Sequence, residues 1–96
     1  MLQMRVAVIG QGYVGLSISV GAFGAGHEVI GVDLSERVVS LLALGGSHVE
    51  GIEPREISDG IARGLFKPTM DYTELSSCDV VIIAVLRQST NQISVI

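Results

Sequence analysis

The chain has a single cysteine, Cys78, which excludes an internal disulfide and suits a reducing compartment. Charge is also sparse, at 17% of residues against ~25% in an ordinary domain. Six basic residues stand against ten acidic ones, for a net charge of −4. With no basic stripe, nucleic acid and anionic membrane surfaces are excluded as expected partners. No apolar run approaches the ~20 residues of a membrane span. The apolar stretch after Arg5 breaks at Gly10, too short for the core of a signal peptide, so the cytoplasm is expected. Only two histidines occur, and neither lies in a spacing that resembles a metal site. His27 reads as a turn residue. His48 falls in an irregular segment, where contact with a ligand stays open.

Apolar residues, by contrast, are abundant: 48% of a chain of 96, with a mean hydropathy of +0.55. That length makes one small domain or a piece of one, residues 1–96. A dense α/β core would account for the composition. So would apolar surface that expects a partner, and Leu34, Val38, Leu41, Leu42 and Leu44 exceed what one helix face needs.

Met4 to Ile9 reads as a buried parallel strand, a continuous apolar run rich in Val and Ile. A helix pattern follows from Val14 to about Phe23, with Gly26 as its C′ residue. Glu28 to Asp33 is a second strand. Ser35 caps a helix that runs to Leu44 and stops at Gly45-Gly46. Pro54 suits the first turn of a third helix, which Gly64 ends. Around it, Glu50, Glu53, Glu56 and Asp59 read as a solvated acidic face. Leu65 to Thr69 is a short strand placed at an edge by Pro68. A helical turn near Tyr72 leads to Val80–Val85, the clearest strand of the chain. Beyond it, residues 86–96 read as a poorly defined tail. The order implies an α/β, Rossmann-like doubly wound parallel sheet with strand order 3-2-1-4. That is the N-terminal half of a dinucleotide-binding domain, and so a truncated one.

The decisive stretch is Val6-Ala7-Val8-Ile9-Gly10-Gln11-Gly12-Tyr13-Val14-Gly15. It is a strand that breaks into a GxGxxG turn and continues as a helix, with an acid, Asp33, roughly 20 residues on. Gly10 allows the tight turn, Gly12 lets a pyrophosphate approach the backbone, and Gly15 lets helix and sheet pack closely. The helix start offers unpaired N–H groups to an anion. Asp33 would accept hydrogen bonds from ribose hydroxyls, which selects NAD over NADP because a 2′-phosphate would meet a carboxylate. The competing explanation is a glycine-rich turn with no ligand. In the expected sheet, Val80 to Val85 would be an apolar edge strand, and such edges recruit other chains. A homodimer or other self-associated form is expected, unless residues 86–96 fold back over the edge.

The Gly10-Gln11-Gly12-Tyr13-Val14-Gly15 turn, joined to Gly26-His27-Glu28-Val29-Ile30-Gly31-Val32-Asp33, resembles the UDP-glucose/GDP-mannose dehydrogenase family. Gly45, Ser47, Glu50, the segment Gly64 to Tyr72 and Cys78 to Val85 extend the resemblance over about Met4 to Val85. Ser47-His48-Val49-Glu50 is more similar to the UDP-N-acetylhexosamine members than to the UDP-glucose members. The resemblance implies that the amides of Gly12, Tyr13 and Val14 hold the NAD pyrophosphate and that Asp33 takes the adenosine ribose. Where the family usually has a basic residue, this chain has Val38; Arg37, one place earlier, either substitutes or is a solvated helix charge. Leu86-Arg87-Gln88 replaces the family's Pro-Thr-Pro loop, which borders the cofactor.

The parent reaction implied is oxidation of a nucleotide sugar's C6 alcohol to a carboxylate, with NAD as oxidant and a covalent thiohemiacetal on a cysteine. That cysteine and its lysine and asparagine partners lie downstream in the family. No catalytic residue is therefore expected here, and a UDP-sugar is a partner only of the full-length parent. Cys78 directly precedes a buried strand and reads as a small apolar filler. A non-catalytic nucleotide-sensing Rossmann module is the alternative, as is a domain without ligand.

Overall fold

Val6, Ala7 and Val8 are buried, as a strand covered on both faces requires, and they form the middle of β1 (Arg5–Ile9). The computed structural model describes residues 2–86 and 91–95. After β1 come α1 (Tyr13–Gly24), β2 (Glu28–Val32), α2 (Glu36–Ala43), α3 (Pro54–Ala62) and β3 (Phe66–Thr69). A 3-10 turn (Tyr72–Ser77) then leads into β4 (Val80–Leu86) and β5 (Asn91–Val95).

The sheet order is β3-β2-β1-β4-β5. The first four strands are parallel, with Val8 opposite Gly31 and Ile82. This is the expected 3-2-1-4 arrangement, with β3 and its Pro68 at the edge.

Alternation along the strands divides the apolar residues between two faces. Val6, Val8, Val29 and Phe66 pack with Leu16 and Phe23 of α1, Leu42 of α2 and Ile57 of α3. Phe23 and Phe66 bring their ring centroids to 5.1 Å. On the other face, Ala7, Ile30 and Val32 are joined by Ile9 and Val81 and by Leu75 and Cys78 around the 3-10 turn. Cys78 is thus a partly buried residue beside a small apolar cluster, and its thiol points at the Glu74 carbonyl.

Local signals set the helix ends. The Ser35 hydroxyl accepts the Val38 amide at the start of α2. At the start of α3, Pro54 occupies the first turn and the Glu53 amide donates to the Glu56 carboxylate. Part of the acidic group around α3 therefore caps it, and Asp59 pairs with Arg63 on an exposed face.

Residues beyond β4 correct the sequence-based expectation. Asn91–Val95 is an antiparallel strand, with Leu86 opposite Asn91 and Ile82 opposite Val95. The free β4 edge, on which the expected self-association rested, is occupied from within the chain. The physical reason is the one that made the edge a hazard: its N–H and C=O groups require partners, and a returning strand supplies them.

Candidate dinucleotide-binding site

The ends of β1, β2 and β4 meet where the chain leaves β1. Gly10 there has φ +95°, a left-handed conformation that glycine adopts without cost. Its amide donates to the Val32 carbonyl at 2.7 Å, and a Cβ on it would overlap the Ala84 carbonyl. Gly15 is constrained by proximity, since its Cβ would overlap the Gly10 carbonyl. The α1 start is thereby locked against the end of β1.

Gly12 is different. Its backbone is extended, at φ −78° and ψ −160°, and nothing lies within 4 Å of where its Cβ would stand. No protein atom requires glycine there. Gly12 also lines a cavity of about 290 Å3, just under the roughly 300–1,000 Å3 of small-molecule sites. Gly10, Gly12, Asp33, Leu34, Tyr72 and Val85 are among its walls.

Gly12 is also the N-cap of α1, and no side chain caps the helix. The first bond into the helix runs from the Leu16 amide to the Gly12 carbonyl, at 2.9 Å. The amides of Tyr13, Val14 and Gly15 therefore precede the intrahelical ladder, at the positive end of the helix dipole. Tyr13 is 70% exposed, and Val14 packs on the main core cluster. What both offer the site is main-chain N–H.

Asp33 stands on the cavity wall just past β2. Its Oδ2 accepts the Gln11 amide at 2.7 Å and its Oδ1 accepts the Ser35 amide at 2.9 Å. A carboxylate has about four lone-pair sites, so acceptor capacity remains after both bonds. Arg37 is exposed on the first turn of α2, away from the cavity walls, and makes no ion pair among the described residues. Arg87 and Gln88, at the place of the family's Pro-Thr-Pro loop, lie outside the described residues.

Several residues of the site carry no motif signal. Gln11 is fully buried: its side-chain amide donates to the Val8 carbonyl at 3.0 Å, and its Oε1 receives the Ser19 hydroxyl at 3.1 Å. Gly31 leaves the room this side chain fills, since a Cβ there would press on Gln11 and Phe66. His48 reaches the same residue from the segment between α2 and α3, with Nε2 at 2.6 Å from the Gln11 carbonyl. His27 receives the Met4 amide on Nδ1, which fixes the turn before β2. Tyr72 reaches the cavity because Asp71 caps the 3-10 turn. Hydrogen bonds from the Thr73 hydroxyl and amide hold the Asp71 carboxyl below its usual value.

A family model described as the UDP-glucose/GDP-mannose dehydrogenase family, NAD binding domain, matches residues 4–92. The chain belongs to this family. GDP-mannose 6-dehydrogenase of Pseudomonas putida is 40% identical over 86 residues, covering 85% of this chain and 19% of that protein. UDP-N-acetyl-D-mannosamine dehydrogenase of Pyrococcus horikoshii is 33% identical over 85 residues, covering 85% of this chain and 20% of that protein. Among solved structures, a UDP-glucose dehydrogenase from Pyrobaculum islandicum superposes with TM-score 0.81 at 28% identity, over 88% of this chain and 20% of the other. A ternary complex of GDP-mannose dehydrogenase from Pseudomonas aeruginosa gives 0.79 at 29% identity, over 95% of this chain and 22% of the other.

The chain thus spans about a fifth of the length of the curated relatives it matches, and residues 4–92 correspond to the NAD binding domain of this family. Its own geometry fits that cofactor. The cradle at Gly12 is open, the α1 amides beside it are uncapped, and Asp33 retains acceptor capacity on the same wall. Among the described residues no helix is long and apolar enough to cross a membrane, and no three His, Cys, Asp or Glu side chains gather as a metal site would require.

Proposed function

We propose that the site holds the ADP half of NAD. The amides of Gly12, Tyr13 and Val14 meet the pyrophosphate, and Asp33 accepts the adenosine ribose hydroxyls. Gly10 and Gly15 shape the turn that brings these groups together, and Arg37 stands nearby as a solvated helix charge. The observation that carries this reading is the unexplained glycine at position 12, open to the cavity and beside an uncapped helix start. Bound NAD would supply a hydride acceptor. The protein's part here is to bind, to orient and to discriminate.

In the whole protein, the proposed reaction is oxidation of a nucleotide sugar at C6 to the carboxylate, in the cytoplasm. Relatives named for UDP-glucose, GDP-mannose and UDP-N-acetylmannosamine all match at 30–40% identity, so the proposal names a nucleotide sugar and no particular one. A homodimer through β4 is not included, because β5 occupies that edge. Calorimetric titration of the chain with NAD, NADH and NADP tests the reading. NAD should bind at least about tenfold tighter than NADP, a difference of about 1.4 kcal/mol. Absence of heat with all three would remove the dinucleotide assignment.

A further inference from the structure

We propose that His48 is a positioning residue for the nucleotide site, one that aims the Gly12 amide by holding the Gln11 carbonyl. The inference rests on the dinucleotide reading of the glycine loop and adds to it a control point remote in sequence.

Gln11 uses nearly every polar group it has on the protein. Its amide goes to Asp33, its side-chain amide to Val8 and Gly10, and its Oε1 to Ser19. The main-chain carbonyl is what remains, and His48 takes it. A carbonyl only accepts, so Nε2 carries the proton and donates. The other ring nitrogen, Nδ1, is buried without a partner, so Gln11 is the ring's one polar anchor among the described residues. The backbone carrying His48 is itself fixed. Ser47 receives the Val49 amide and donates to the Val49 carbonyl, and the Val49 side chain packs on the main core.

The consequence for the cofactor follows from peptide planarity. The Gln11 carbonyl and the Gly12 N–H belong to one trans peptide unit, and in such a unit they point in opposite directions. No cis peptide occurs among the described residues. A hydrogen bond that draws the carbonyl toward His48 therefore turns the Gly12 N–H away from it. The opposite end of the same unit, Gly12, lines the cavity. Without His48 the carbonyl would lose its partner, and rotation of this peptide would be the cheapest way to recover one. Affinity for a phosphate group would then fall although no residue touching it had changed.

Three variants of the 96-residue chain test this: His48→Ala, His48→Asn and His48→Gln. The amide nitrogen of Gln lies about where Nε2 does, whereas that of Asn is a methylene shorter. NADH affinity should fall at least about fivefold in His48→Ala and His48→Asn, the scale of one net hydrogen bond. His48→Gln should stay within about twofold of the parent. Amide exchange of Gln11, whose N–H is bonded to Asp33, read without cofactor, should speed up in the first two variants and return to the parental rate in the third. If His48→Ala fails to fold, the Asn and Gln pair carries the comparison. Unchanged exchange and affinity in His48→Asn, or a His48→Gln as defective as His48→Asn, would overturn the inference. A parent chain that ignores NADH would instead remove the dinucleotide reading, and the exchange rates would still decide whether His48 holds the loop.

Discussion

Gly10 and Gly15 face protein, whereas Gly12, between them in the same turn, faces an open cavity. One motif therefore contains two kinds of constraint. At the outer two positions the neighbouring backbone forbids a side chain, and folding alone would select glycine. At the middle position no protein atom forbids a side chain, and of the glycines open in this way Gly12 is the one that lines the cavity at the α1 start. The same division runs through the rest of the loop. Gln11 and Ser19 are fully buried beneath it, while the first-turn amides of α1 are left for a ligand.

Gly15→Ala should break the protein-facing side and have the largest effect. The new methyl would overlap the Gly10 carbonyl, a backbone atom that cannot swing away as a side chain would. Relief requires α1 to move off the sheet, so a loss of about 3 kcal/mol or more is expected in urea unfolding. A midpoint equal to the parent's would show that α1 does not lie where the structure has it.

Gly12→Val tests the open side and should invert that outcome. Its backbone angles suit any residue, and the new side chain would meet no protein atom within 4 Å of its Cβ. Stability should change by no more than about 1 kcal/mol, the scale of an altered helix cap. NADH affinity should fall by more than about tenfold, or 1.4 kcal/mol. Equal NADH binding by variant and parent would remove the phosphate-loop assignment.

The contrast between the two sides was only half legible in the sequence. The three glycines and Asp33 are readable because their spacing is local and tied to a strand, a turn and a helix. Gln11 has no such signal: it looks like an arbitrary polar residue between two glycines, and its burial follows from the hole left by Gly31 in the adjacent strand. His48 was unreadable for a related reason, since its partner lies 37 residues away and the irregular segment that carries it has no periodicity. The β5 strand was missed for a different reason. Gln92, Ile93, Ser94 and Val95 alternate polar and apolar residues, which signals a strand with one face covered rather than the continuous apolar run of β4.

Asp33 belongs to both sides and should give an intermediate result. Asp33→Ala removes the proposed ribose acceptor and also releases the Gln11 and Ser35 amides. NADH binding should weaken by about 1–3 kcal/mol, the scale of charge-assisted hydrogen bonds. Preference for NAD over NADP should shrink with it, because the carboxylate that opposes a 2′-phosphate is gone. Calorimetry that finds NADH affinity unchanged would refute the ribose role. A loss of affinity with the NAD-to-NADP ratio preserved would mean that Asp33 acts only by holding the loop.

The smallest effect is expected from Arg37→Ala. Arg37 is exposed on the first turn of α2, where a positive charge gains nothing from the helix dipole. It lies off the cavity walls and pairs with no acid among the described residues. A solvated charge in that position contributes at most about 0.5 kcal/mol to its surroundings. NADH affinity should therefore stay within about twofold of the parent, and the unfolding midpoint should hold or rise slightly. The result bears on the family comparison, because members of the family usually carry their basic residue at the place of Val38. A loss of more than about fivefold, near 1 kcal/mol, would mean that the guanidinium folds over the cavity when the cofactor arrives. Arg37 would then join the open side of the loop, and the cavity as described would be missing one wall.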